Sequence, residues 1–85
     1  MPYIIKFTSH AVRSFRKLPR EVQARLSLSI DLLKDNPRPP GSEKLKGTED
    51  AYRIRVGDYR ILYEVKDKDL IVYIIETGHR RDVYK

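Results

Sequence analysis

Residues 52–63 read YRIRVGDYRILY, and this stretch decides the fold. Tyr52, Ile54 and Val56 alternate with Arg53 and Arg55; after Gly57 and Asp58, Tyr59, Ile61 and Tyr63 alternate with Arg60 and Leu62. Period-two alternation on both sides of a Gly-Asp step predicts a β-hairpin, with Gly57 at the first turn position of a type II′ turn. That turn sets Val56 opposite Tyr59, Arg55 opposite Arg60, Ile54 opposite Ile61 and Tyr52 opposite Tyr63. Opposed residues share a sheet face, so one face is apolar and the other gathers Arg53, Arg55 and Arg60. Like charges directly across a strand pair are destabilising. A fold that keeps them together is expected to have an anion to place there.

Working outward, Tyr3 to Phe7 alternates as a short strand, and Thr8 or Ser9 can cap a helix over His10 to Leu18 whose inner face is Ala11, Phe15 and Leu18. Pro19 ends that helix or begins the next. The second helix is expected from Arg20 to about Asp35, with Val22, Leu26, Ile30 and Leu33 as its core stripe and Asn36-Pro37 as its stop. Residues 38–48, RPPGSEKLKGT, read as a connecting loop with Leu45 as its anchor. Beyond the hairpin and a charged turn at Lys66 to Asp69, Leu70 to Thr77 is apolar on both faces, as in a central strand covered at least in part on both sides, and Gly78 is expected to end it. The order is strand, helix, helix, then three meandering strands. This predicts one two-layer α+β domain over residues 1–85, with both helices on the apolar face of an antiparallel sheet and the arginine face open. The first strand should pair with a free edge of that sheet.

Composition narrows the chemistry. The chain has 85 residues, 40% apolar and 35% charged, which suits one small globular domain. It has no cysteine, so disulfides, thiolate nucleophiles and Cys-ligated zinc are excluded, in keeping with a reducing cytosol. No signal peptide or membrane-length apolar run is visible. The 18 Lys and Arg against 12 Asp and Glu leave a net charge of +6, which points to a polyanionic partner. Neither a metal-ligand spacing nor a Gly-rich phosphate loop is present, so no cofactor is expected.

The sequence also resembles the RelE/ParE superfamily of toxins from toxin–antitoxin pairs. The resemblance is carried by RKLPREVQ (16–23), LKDNPRPPGSEKLKG (33–47), AYRIRVGDYRILYEV (51–65) and GHRRDVYK (78–85), and is strongest to the RelE branch of ribosome-dependent messenger-RNA endonucleases. It implies a RelE-like fold, a RelB-like antitoxin protein as partner, the ribosome and messenger RNA as targets, inhibition of translation, and no membrane. By position, Arg53 and Arg55 match the family's two basic strand residues and Arg60 its phosphate-binding arginine. Arg80 matches the arginine proposed to protonate the leaving oxygen, and Tyr84 a C-terminal tyrosine that stacks on a base or assists proton transfer. This chain departs in having arginines where well-known nucleases of the branch have lysines. It also stops one residue after Tyr84, short of the C-terminal helix of longer members.

The residues suit part of that chemistry better than the rest. RNA can be cut by its own 2′-hydroxyl, given help in removing the 2′ proton, stabilising the phosphorane and protonating the 5′ oxygen. Arginine's fork of donors serves the second need. With a pKa above about 12 it serves the first poorly, so Arg53 and Arg55 are expected to act by charge and positioning. The base could be Tyr84, His79, a phosphate oxygen or a ribosomal group; histidine is the residue type among these whose unperturbed pKa falls near neutrality. Lys44, Lys46 and Arg81 could contact the substrate RNA, and His10 is expected to be a surface residue. Two other readings are a non-catalytic inhibitor of DNA gyrase, as in the ParE branch, and a plain basic nucleic-acid-binding module.

Overall fold

The computed structural model describes residues 2–79 and residue 81. Seven elements follow in order: β1 (Ile4–Phe7), α1 (Ser9–Arg16), α2 (Arg20–Leu32), β2 (Glu43–Lys44), β3 (Ala51–Val56), β4 (Tyr59–Lys66) and β5 (Ile71–His79). The hairpin has the register read from its sequence: Val56 pairs with Tyr59, Arg55 with Arg60, Ile54 with Ile61 and Tyr52 with Tyr63. Gly57 has φ +63° while Asp58 stays at negative φ, which fits type II′ and not type I′, where both central residues need positive φ.

Both helices start and stop on local signals. The Thr8 hydroxyl accepts the Ala11 N–H at 3.0 Å, and the Thr8 N–H donates to the Ile74 carbonyl at 3.0 Å, so the cap of α1 is tied to β5. Pro19 caps α2, its carbonyl accepting from the Val22 and Gln23 N–H groups. The predicted stripe Val22, Leu26, Ile30 and Leu33 is buried together with Ala11 against Ile54, Ile61, Tyr63, Val65, Val72 and Ile74 of the sheet. Each buried Val, Leu or Ile side chain contributes roughly 1.5–3 kcal/mol by leaving water.

The sheet departs from expectation in four ways. Its order is β1-β5-β4-β3-β2, and β1 runs parallel to β5, so the sheet is mixed rather than wholly antiparallel. The two helices carry the chain back to the end where β1 began, which makes β3, and hence β5 two reversals later, run the same way as β1. Next, the stretch expected to be pure loop contributes β2, pairing Glu43 with Arg53 and Lys44 with Tyr52, while Leu45 is half-buried and donates its N–H to the Ala51 carbonyl. Gly78 does not end the last strand, which runs on to His79. Finally, the β4–β5 register slips at Leu62/Tyr63: Leu62 pairs with Glu76 but Tyr63 with Ile74, leaving Ile75 as an extra residue. Such a bulge reverses which face the following residues occupy. Val72 and Ile74 point into the core before it and Thr77 after it.

A polar clamp holds the loop after α2 to the sheet. The buried Tyr63 hydroxyl donates to the Pro37 carbonyl at 2.8 Å, and its ring stacks on Tyr52 with centroids 5.9 Å apart. Arg38 donates through Nε to the Tyr52 hydroxyl at 2.9 Å and grips both oxygens of Asp67, which also accepts from the Tyr3 hydroxyl. Burial pushes the Tyr63 phenol up to about 12, with Ser42 and Arg38 pulling the other way. An unfolded tyrosine ionises near 10, so the folded state holds this proton more tightly. The resulting stability is complete below about pH 10 and is lost as pH rises through about 12, on the order of 2–3 kcal/mol in full. Absorbance titration at 295 nm should show a late tyrosinate step coinciding with unfolding, and Tyr63→Phe should remove it. A wild-type curve with every tyrosine titrating near 10 would contradict this assignment.

Candidate nucleic-acid interface

Arg53, Arg55 and Arg60 stand on the sheet face that turns away from the helices. Alternation sends Ile54, Ile61 and Tyr63 inward to the core, and so sends the arginines outward. Arg55 and Arg60 are directly opposed across the pair, and Arg60 faces Gly78 on its other side. Gly78 has no side chain, so nothing from that position of β5 competes with the Arg60 guanidinium for the outer surface. Arg53 and Arg60 are half-buried, with their Nε atoms shielded from solvent, while Arg55 is exposed.

Among the described residues, Glu43 is the acidic group that meets this tract. Sequence reasoning placed it in a loop; β2 puts it across from Arg53, whose guanidinium it meets at 2.8 Å. The Glu43 side chain is 55% exposed, and pairs of this kind are worth about 0–1 kcal/mol, so an incoming phosphate can displace the carboxylate. The nearby carboxylates Glu64 and Glu76 meet other cations, Glu64 beside Lys66 at 4.0 Å and Glu76 with His10 at 3.0 Å. A guanidinium never loses its charge near neutrality, so the tract keeps its positive potential across the physiological range.

The other predicted site residues are not all brought together. Lys44 is exposed and pairs with Tyr52, which puts it on the helix side of the sheet edge, opposite to the arginines. Lys46 is exposed in the turn after β2. His79 pairs with Tyr59 and meets its ring edge-on at 5.5 Å, which sets it on the α1 side. The bulge at Ile75 is the cause, since strict alternation from Val72 would have turned His79 to the arginine side. Its Nδ1 accepts the Arg81 N–H at 3.2 Å, and the Arg81 residue is exposed. Arg80 and Tyr84 lie outside the described residues. His10 is exposed as expected. Among the described residues no three His, Cys, Asp or Glu side chains converge as metal ligands, and no helix is long and apolar enough to cross a membrane.

The family model described as "ParE toxin of type II toxin-antitoxin system, parDE" matches residues 5–84. The toxin RelG of Mycobacterium tuberculosis is 33% identical, over 100% of this chain and 99% of its own. The mRNA interferase toxin RelE of Escherichia coli K12 is 32% identical, over 94% of this chain and 85% of its own. Among solved structures, the RelBE2 toxin–antitoxin complex of Mycobacterium tuberculosis superposes with a TM-score of 0.84 at 30% identity, covering 96% of this chain and 95% of the other.

Proposed function

This chain belongs to the RelE/ParE superfamily of type II toxin–antitoxin toxins, on its RelE branch, and from that we propose that it is a ribosome-dependent messenger-RNA endonuclease silenced by a RelB-like antitoxin. The observation that carries the proposal is the opposition of Arg55 and Arg60 on the sheet face turned away from the helices, with Arg53 beside them. A phosphate placed over this face meets several guanidinium donors, and their charge is best matched to a phosphorane carrying more negative charge than the ground state. The 2′ oxygen forms a bond to phosphorus, the bond to the 5′ oxygen breaks, and the products are a 2′,3′-cyclic phosphate and a 5′-hydroxyl. The proton from the 2′-hydroxyl goes to a base outside the arginine tract, because a guanidinium, already protonated near neutrality, has no site to accept it. By resemblance to the family, Arg80 returns a proton to the 5′ oxygen and Tyr84 stacks on or assists at the scissile base. Translation is the process inhibited, and the cytosol is where it happens.

The match to a model named for ParE keeps a second reading in view, a non-catalytic inhibitor of DNA gyrase. Mapping messenger 5′ ends by primer extension after induction, with and without translation, separates the two. Cuts that require translation are expected. Intact messengers with altered plasmid supercoiling would favour the gyrase reading, and neither effect would leave only a basic nucleic-acid-binding module. Arg80→Ala is expected to remove cutting while leaving the fold intact; cutting at the wild-type rate would rule out the acid role.

A further inference from the structure

The shortness of β2 opens a cleft beside the arginine face. Its pairing with β3 ends at Glu43, opposite Arg53. The same register carried on would set Ser42 against Ile54 and Gly41 against Arg55. Instead Pro39, Pro40, Gly41 and Ser42 turn the chain away from the edge. The Ser42 N–H donates to the Pro39 carbonyl at 3.0 Å, and Gly41 takes φ +93°. Proline second and a positive-φ glycine third make a type II turn, which these residues favour by themselves. The gap left between this turn, α2 and β3 is about 510 Å³, within the ligand-pocket range of roughly 300–1,000 Å³.

Leu32, Pro39, Pro40 and Ile54 give this cleft apolar walls, while Glu43 and Arg55 bring polar groups to it. The backbone of Arg55 matters as much as its side chain. The Ala51 carbonyl accepts from the Leu45 N–H on the β2 side, and backbone direction along a strand repeats every second residue. Arg53 and Arg55 therefore aim their N–H and C=O groups to that side as well. Those of Arg53 face Glu43 in β2; those of Arg55 face no strand, because the chain has turned off at Gly41. One donor and one acceptor, adjacent on an unpaired edge and flanked by apolar walls, match the hydrogen-bonding edge of a flat heterocycle. The Arg55 side chain meanwhile stands on the outer face opposite Arg60. A single residue thus offers a guanidinium to a phosphate and a backbone edge to the base attached to it.

We infer that this cleft at the β3 edge is a nucleobase pocket, holding the base of the nucleotide whose phosphate the Arg55 guanidinium grips. That assignment rests on the RNA-directed reading above and adds where the base goes. Glu43 gives it a preference: an ionised carboxylate accepts hydrogen bonds and cannot donate them, so a base with an exocyclic amine is favoured over uracil.

The test uses adenosine, cytidine and uridine 5′-monophosphates, with ribose 5-phosphate as the probe that carries sugar and phosphate alone. Backbone amide spectra of the full chain, recorded by NMR during each titration, separate the two surfaces. All four probes should shift the Arg53 and Arg60 amides. The three nucleotides, and not ribose 5-phosphate, should also shift Ser29, Gly41 and Arg55. The adenosine and cytidine nucleotides should bind about 10-fold more tightly than the uridine one, a discrimination within reach of well-placed hydrogen bonds to a base edge. Ser29→Phe fills the cleft from α2 and should bring every nucleotide down to the affinity of ribose 5-phosphate. Leu32→Glu is a second block, at a side chain already 68% exposed, and should do the same. Glu43→Gln should narrow the preference over uridine, since an amide both donates and accepts. Thermal melting checks that the variants are folded. Nucleotides that behave like ribose 5-phosphate, shifting Arg53 and Arg60 but not the cleft, overturn the inference and leave the arginine face standing. No shift with any probe overturns the inference and the RNA-directed reading together. If both blocking variants keep the base-dependent affinity but lose the cognate antitoxin, the cleft is a protein-binding surface and the inference fails.

Discussion

Arg60→Ala is expected to slow messenger cleavage by about 10²–10³-fold, the loss typical of removing one preorganised donor from a site where negative charge develops. The size follows from where the side chain stands. Arg60 is the arginine on the middle strand of the tract, with Arg55 directly across on one side and the bare Gly78 backbone on the other. Its half-buried stem restricts the head, so less freedom is lost when a phosphate binds than at the exposed Arg55. Arg60→Lys keeps the charge but loses the planar fork, and should recover only part of the rate. Single-turnover cleavage of a messenger on programmed ribosomes is the measurement, and thermal melting is its control. Melting within a few degrees of wild type is expected, because removing one of two opposed cations lifts a repulsion as well as a contact. A variant that cuts at the wild-type rate would remove this face from the reaction; one that is merely unfolded would say nothing of chemistry, and melting detects it.

Tyr63→Ala should cost about 3–5 kcal/mol of stability, as for other large buried aromatics. Tyr63 has no exposed surface, stands on the central strand β4, stacks on Tyr52 and donates to the Pro37 carbonyl. A domain of this size buries only about 60% of its unfolded surface and has little stability to lose. Urea titration at 25 °C should therefore find Tyr63→Ala largely unfolded in the absence of denaturant. Tyr63→Phe keeps the ring and removes one donor, leaving a buried carbonyl unsatisfied, for an expected loss of about 1–3 kcal/mol. If the alanine variant unfolds at the same urea concentration as wild type, the clamp that joins the α2 exit to the sheet does not hold the fold together.

Much of this architecture is legible without coordinates because its causes are local. Gly57 takes a positive φ that suits a II′ turn, and that turn alone sets six cross-strand pairs, which put Arg55 against Arg60. The helix stripe Val22, Leu26, Ile30 and Leu33 follows from 3.6-residue periodicity, and the cap at Thr8 from a hydroxyl one turn before Ala11. Arg80 and Tyr84 are known only through the family motif, since both lie outside the described residues.

Other features depend on pairings between residues far apart in the chain, to which no local pattern answers. The direction of β1 beside β5, the two-residue strand that brings Glu43 to Arg53, and the extra residue at Ile75 belong to this class. The last has the largest consequence for the chemistry. A strand of apolar residues on both faces gives no hint of where its register slips, and a slip of one residue exchanges the faces. That exchange carries His79 from the arginine surface to the cleft beneath α1, next to Tyr59. Alternation within a hairpin is written in neighbouring residues, whereas the sidedness of a bulged strand is settled only when β4 and α1 pack against it.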